Sequence, residues 1–126
     1  MNTHTIVGHR VAKYYGKVTY GRADLHNAAL QRNLAAIHAG ADFPDFLFAC
    51  GKYKDHRDAA EWAHWPPWQA AAATYIRSRP DFQSGNWSVD TERLVAFLYG
   101  VSVRYISDEF WEGLILQLGR GQGFVR

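Results

Sequence analysis

The chain has 126 residues, with 14 Lys and Arg against 12 Asp and Glu for a formal net charge of +2, and 48% hydrophobic residues against 21% charged. These proportions describe one globular domain over residues 1–126, large enough to bury a core, and exclude disordered and collagen-like chains. Cys50 is the only cysteine, which excludes an intramolecular disulfide framework and a multi-cysteine zinc cluster, so any metal must be held by His and carboxylates. The basic residues are scattered and give no strong nucleic-acid signal. No apolar run approaches the ~18 to 20 residues of a membrane span, and the amino terminus MNTHTIVGHR lacks the order of a signal peptide, so a soluble, cytoplasmic protein is one expectation.

Helical stretches punctuated by Gly and Pro dominate and strand-like alternation is nearly absent, so the expected fold class is all-α. Thr3 is placed to N-cap a helix from about His4 to Tyr15, with His4, Gly8, Val11 and Tyr15 on one face and Gly16 as its stop. Asp24 is expected to cap a second helix whose Leu30, Leu34 and Ile37 recur at core spacing and which ends at Gly40. The following GADFPDFLFACGKYK, with Pro44 inside it, reads as a buried loop. A short helix from Asp58 carries Trp62 and reaches His64; Pro66 and Pro67 break it, and Pro67 starts a helix through Arg79. RPDFQSGNW is a turn-rich connection. From about Asp90 the longest pattern is apolar at Leu94, Val95, Leu98, Val101 and Tyr105, as one helix or as two with a break near Ser107.

His4 and His9 would lie about 140° apart on a helix, so at most one is central to a small metal site, and either can equally be a structural or solvent-facing histidine. Asp45, among Phe43, Pro44, Phe46, Leu47 and Phe48, is costly to bury unless it pairs, caps a helix or binds a cation. A loop carboxylate bonded to backbone amides is the plain alternative. Arg104, Asp108 and Glu112 recur at four-residue spacing and share a helix face. They are either an exposed charged ladder or, since Asp108 and Glu112 set like charges side by side, a group that needs a cation or Arg104 as neutraliser. Trp62, Trp65 and Trp68 read as core residues more readily than as a lipid anchor.

Four segments, THTIVGHR, AIHAGADFPD, AEWAHWPPW with its following AAATYIR, and DTERLVAFLYGVS leading to SDEFWEG, together resemble the zinc-dependent phospholipase C family, most closely the catalytic domain of glycosylphosphatidylinositol-specific phospholipase D. The resemblance runs from Thr3 to about Phe124. It implies a helical bundle enclosing a three-zinc cluster held by His and Asp, a fold shared with single-strand-specific nucleases. Residue by residue it implies zinc ligands at His4 in THT, Asp45 in FPD, His64 in AHW and Asp108 on the long helix, with Glu112 a further possible ligand. Such a cluster polarises a phosphodiester oxygen and lowers the pKa of bound water. The family pattern has His where this chain has Arg104, and again near Glu112. A guanidinium cannot ligate zinc, and Arg104 could instead pair with Asp108 in the place of the missing ion. Because the chain stops at Arg126, before the family's later helices and their ligands, the expected zinc content is one ion or none.

Three functions follow as expectations. The first is a metal-dependent phosphodiester hydrolase acting on phospholipid or glycosylphosphatidylinositol headgroups, with Asp108 and Arg104 as catalytic residues and Arg104 steadying the phosphate. The second is a non-catalytic descendant of the fold, a pseudoenzyme that binds phosphate or lipid. The third is a single-strand nuclease-like enzyme with Trp62 or Trp65 stacking near His64. The family resemblance implies secretion, and an apolar flank left by missing helices implies self-association, with peripheral membrane contact a further expectation.

Overall fold

A computed structural model of the chain describes residues 3–15, 22–49 and 54–117. Among the described residues the protein is all-α, as expected, with seven helices and no strand. They are α1 (Thr3–Tyr15), α2 (Ala23–Arg32), α3 (Leu34–Ala49), α4 (Lys54–Ala63), α5 (Pro66–Ser78), α6 (Pro80–Ser84) and α7 (Val89–Gln117). Gly16 and Cys50 lie outside the described residues. No helix among the described residues is long and apolar enough to cross a membrane.

Helix α7 is the axis of the bundle, with α1, α2, α3 and α5 packed on it. It is one continuous helix with no break near Ser107, whose hydroxyl donates at 2.7 Å to the Val103 carbonyl one turn back, a bond that a helix accommodates without breaking. Ala12, Leu30, Ile37 and Ala96 form a fully buried cluster onto which Leu34, Ala36 and Tyr99 pack. The small residues in that cluster let α1, α3 and α7 lie close together. Gly40 and Gly100 carry this furthest: a Cβ on Gly40 would overlap the Phe97 carbonyl oxygen, and one on Gly100 the Ile37 carbonyl oxygen.

That crossing corrects two expectations. The second helical pattern does not run to Gly40, because Asn33 divides it. The Asn33 carbonyl accepts the amides of Ala36 at 3.0 Å and Ile37 at 3.2 Å, starting α3, while its side chain donates to the Ala29 carbonyl at 2.8 Å and closes α2. Residues 40–49 are not a buried loop but the second half of α3, with Pro44 inside the helix and fully buried. Proline removes the donor that would meet the Gly40 carbonyl, so this half-helix is held by packing rather than by local propensity. Asp24 does not cap α2 either; it lies in the first turn after Arg22, where a carboxylate still complements the helix dipole.

The tryptophans also depart from expectation. Helix α4 turns Ala60 and Ala63, both at 0% exposure, into the bundle, and this leaves Trp62 64% and Trp65 40% exposed. Trp68 alone is half-buried, its ring 5.7 Å from that of Phe43.

The start of α7 is fixed by a polar knot. The Ser88 hydroxyl accepts the Thr91 amide at 3.2 Å as an N-cap, and one Asp81 carboxylate oxygen accepts the Ser88 amide at 2.9 Å and the Thr91 hydroxyl at 2.6 Å. These hydrogen bonds, Thr91 first and then Ser88, hold the Asp81 carboxyl well below the usual carboxylate range. A depressed folded-state pKa contributes stability that is present above the unfolded value near 4 and is lost as the pH falls through the folded one. The Asp81→Asn variant is therefore expected to show a flatter loss of Tm between pH 5 and pH 2 than the parent in thermal melts; parallel curves would remove Asp81 from the acid response.

Candidate functional site

Five of the sequence-predicted residues converge where α1, the second half of α3, the α4–α5 junction and the second half of α7 meet. His4 sits in the first turn of α1, and Asp45 follows Pro44 on α3, on a helix rather than the loop expected for it. His64 is the residue after α4, held there because Pro66 and Pro67 start the next helix. Arg104 and Asp108 lie one turn apart on α7, and Glu112 stands half-buried one turn beyond. His9 falls on another face of α1, exposed, with its ring 6.0 Å from that of His38.

Arg104 is the centre of the arrangement. Its guanidinium, 6% exposed, donates through Nη2 to Asp45 Oδ1 at 2.8 Å and through Nη1 to Asp108 Oδ2 at 2.9 Å. Each carboxylate also meets one imidazole: His64 Nε2 is 3.3 Å from Asp45 Oδ1, the oxygen that Arg104 also contacts, and His4 Nε2 is 3.3 Å from Asp108 Oδ1, on the other side from Arg104. A buried His64 ring is oriented by its Nδ1, which lies 2.6 Å from the Ala60 carbonyl one turn back. The result is a chain of polar contacts from His64 through Asp45, Arg104 and Asp108 to His4. The His64 hydrogen bond, and after it the Arg104 guanidinium, holds the Asp45 carboxyl well below the usual carboxylate range, although burial opposes the shift.

Sequence reasoning did not foresee the cleft beside this chain of contacts. It has a volume of about 610 Å3 and is walled by Val7, Ile106, Phe110 and Trp111, with His4 and Asp108 also in its lining. Ile106, Phe110 and Trp111 are 63%, 73% and 55% exposed, too much for core residues and enough for a contact surface. Ile106 and Phe110, four apart and flanking the charged ladder, were the available signal.

The zinc that the resemblance implies can be tested against these contacts. The donor types are suitable, two imidazoles and two carboxylates. The arrangement is not: Arg104 takes up one oxygen of each carboxylate and brings its own positive charge to the point between them. No group of three or more His, Cys, Asp or Glu side chains among the described residues is placed to hold a metal ion. As arranged, these residues do not fit a zinc ion.

No family model matches the chain, and no solved structure matches it. Among curated proteins it is 33% identical over 132 residues to phosphatidylinositol-glycan-specific phospholipase D of Bos taurus and 34% identical over 128 residues to that of Homo sapiens. The alignments take in 100% of this chain and 14% of each relative. The phospholipase D of the same name from Dictyostelium discoideum is 32% identical over 126 residues, 100% of this chain and 12% of the relative. The chain thus spans about a seventh of the length of the mammalian relatives. Over its full length it is related to a segment of phosphatidylinositol-glycan-specific phospholipase D.

Proposed function

We propose that the chain is a phospholipid- or glycosylphosphatidylinositol-directed domain of the phospholipase D kind, in which Arg104 stands where the resemblance expects a zinc ligand. The observation that carries this reading is the apolar cleft of about 610 Å3 directly beside His4 and Asp108. An amphiphile needs that pairing of an apolar wall with a few polar groups. The lipid's apolar part lies along Ile106, Phe110 and Trp111. His4, on the cleft wall, meets the phosphoryl group, and the Asp45 carboxylate, 54% exposed, accepts hydrogen bonds from headgroup hydroxyls. Arg104 is buried and held by two carboxylates, so it joins α3 to α7 under the site instead of contacting the headgroup.

A second reading, hydrolysis of the headgroup phosphodiester, needs Arg104 to release Asp45 and Asp108 first, since with the guanidinium in place these residues do not fit a metal ion. With Arg104 withdrawn, His64, whose Nδ1 meets the Ala60 carbonyl, would present Nε2 as a ligand beside Asp45.

Sedimentation with phosphatidylinositol-containing vesicles in EDTA, followed by assay of headgroup release with zinc restored, separates the two. Binding that survives EDTA, weakens about tenfold or more in the Phe110→Ala, Trp111→Ala double variant and yields no headgroup is the expected result, a loss of at least ~1.4 kcal/mol. Zinc-dependent release that disappears in Asp45→Ala would establish the hydrolase instead. Neither binding nor release would overturn both readings.

A further inference from the structure

A second cavity lies well away from the site described above, where the first half of α7 meets α2, α5 and α6. Leu98 in its wall and Phe110 in the first cleft are separated by about 18 Å along the α7 axis. The inner part has a volume of about 240 Å3 and is walled by Ile76, Phe82, Val95 and Leu98, with His26 and Arg77 also in its lining. It adjoins a more polar recess of about 420 Å3 lined by Arg22, Arg77, Phe82 and Gln83. Arg77 and Phe82 belong to both, so the two form one site with an apolar interior and a cationic mouth.

The walls are set in place. Trp87 stacks on Phe82 with ring centroids 4.8 Å apart and receives the edge of His26 at 5.0 Å. The Arg22 guanidinium lies 5.9 Å from the centroid of the Phe82 ring and donates to the Phe82 carbonyl at 2.8 Å and the Gln83 carbonyl at 3.2 Å. Those bonds use neutral acceptors, so they position the guanidinium without neutralising it. Arg77, exposed at the end of α5, has no ion-pair partner among the described residues. Two uncompensated guanidinium groups thus flank the mouth of an apolar cavity, and the His26 imidazole is held below its ordinary pKa by burial and by Arg22. A cation is repelled by this mouth, and a purely apolar guest leaves the two like charges unpaired.

We propose that this cavity binds a small anionic amphiphile, a carboxylate or phosphate monoester on a short apolar tail, with the anion between Arg22 and Arg77 and the tail against Ile76, Phe82, Val95 and Leu98. The interior is larger than the dry apolar cavities of about 150 Å3 that take up benzene, so a ring or short acyl chain has room. Guanidinium groups suit both anions, since their forked donors match carboxylate and phosphate oxygens alike.

Calorimetric titration of the full chain with octanoate and octyl phosphate tests the proposal, with octanol and inorganic phosphate as the two half-ligands. At least one amphiphile binds, each half-ligand binds at least tenfold more weakly, and Arg77→Ala weakens the amphiphile by at least tenfold. Arg57→Ala, which removes an exposed arginine of α4 that lines neither cavity, leaves the affinity unchanged. Because Arg77 is exposed, its variant is expected to keep the parent's circular dichroism and Tm. The better of the two anions identifies the headgroup. Absence of binding, an affinity indifferent to both Arg77→Ala and Arg22→Ala, octanol as tight as the amphiphiles, or an equal loss of binding in Arg57→Ala would overturn it.

Discussion

Alanine at Gly40 or at Gly100 is expected to destabilise the protein by about 3 kcal/mol or more, enough to lower Tm by about 10 °C. In an exposed helix the same change is stabilising by about 0.5 to 1 kcal/mol, because glycine gives up more backbone entropy on folding. The sign reverses here because each new methyl would overlap a backbone carbonyl oxygen of the facing helix, Phe97 for Gly40 and Ile37 for Gly100. A side chain can rotate out of the way; a carbonyl inside a helix cannot move without its whole segment. The two helices would separate along the crossing that buries Ile37, Ala41 and Val101. Gly8→Ala is a graded comparison, since its methyl would meet only Ile37 Cγ2 at 3.1 Å. Gly113→Ala is the control, with nothing within 4 Å, and is expected to be neutral or stabilising. Urea denaturation of the four variants checks the order, and equal midpoints for Gly40→Ala and Gly113→Ala would show that the close crossing does not hold the bundle together.

The same crossing explains what could be read from sequence and what could not. The all-α class, α1, the proline start of α5, expected at Pro67 and found at Pro66, and the apolar stripe of α7 are local properties, and the chain displays them. The two halves of α3 are not local. Gly40 and Pro44 are helix-breaking signals on any local scale, and they are overridden because Gly40 faces Gly100 from a distant part of the chain. Asn33 shows no local break, because Leu30, Leu34 and Ile37 keep helical spacing across it, although it ends one helix and begins the next. The hydrophobicity of Trp62 and Trp65 points inward, but Ala60 and Ala63 occupy the inward face of α4. Of the site, residue spacing alone grouped Arg104, Asp108 and Glu112. His4 and Asp45 stand out singly in the sequence, but only the resemblance joins them with His64, since nothing in spacing tells that three other segments meet at that turn of α7. The bridging of Asp45 by Arg104 was in neither, because it depends on the continuation of α3 that the breakers concealed.

Arg104→Ala is expected to cost about 3 kcal/mol, the lower part of the range for breaking a buried ion pair. The lower part applies because Asp45 is 54% exposed and water recovers some of its lost partner, whereas Asp108 is only 19% exposed. The loss has a specific origin: without the guanidinium, two carboxylates face each other across the space it filled, and α3 and α7 repel where they had been joined. If that account is right, the cost belongs to the unpaired carboxylates rather than to arginine itself. Adding Asp45→Asn and Asp108→Asn to Arg104→Met should then recover most of the stability, since a neutral group of similar length restores packing without stranding a charge. The zinc question is tested at the same position. Arg104→His removes the fixed cation and supplies an imidazole beside Asp45, His64 and Asp108, so zinc is expected to raise the Tm of that variant, by the linkage of binding to folding, while leaving the parent unchanged. A parent stabilised by zinc as strongly as Arg104→His would mean that Arg104 yields its carboxylates to a metal, and the hydrolytic reading would displace the binding one. A cost below about 1 kcal/mol for Arg104→Ala would mean that the bridge is no stronger than an exposed surface pair.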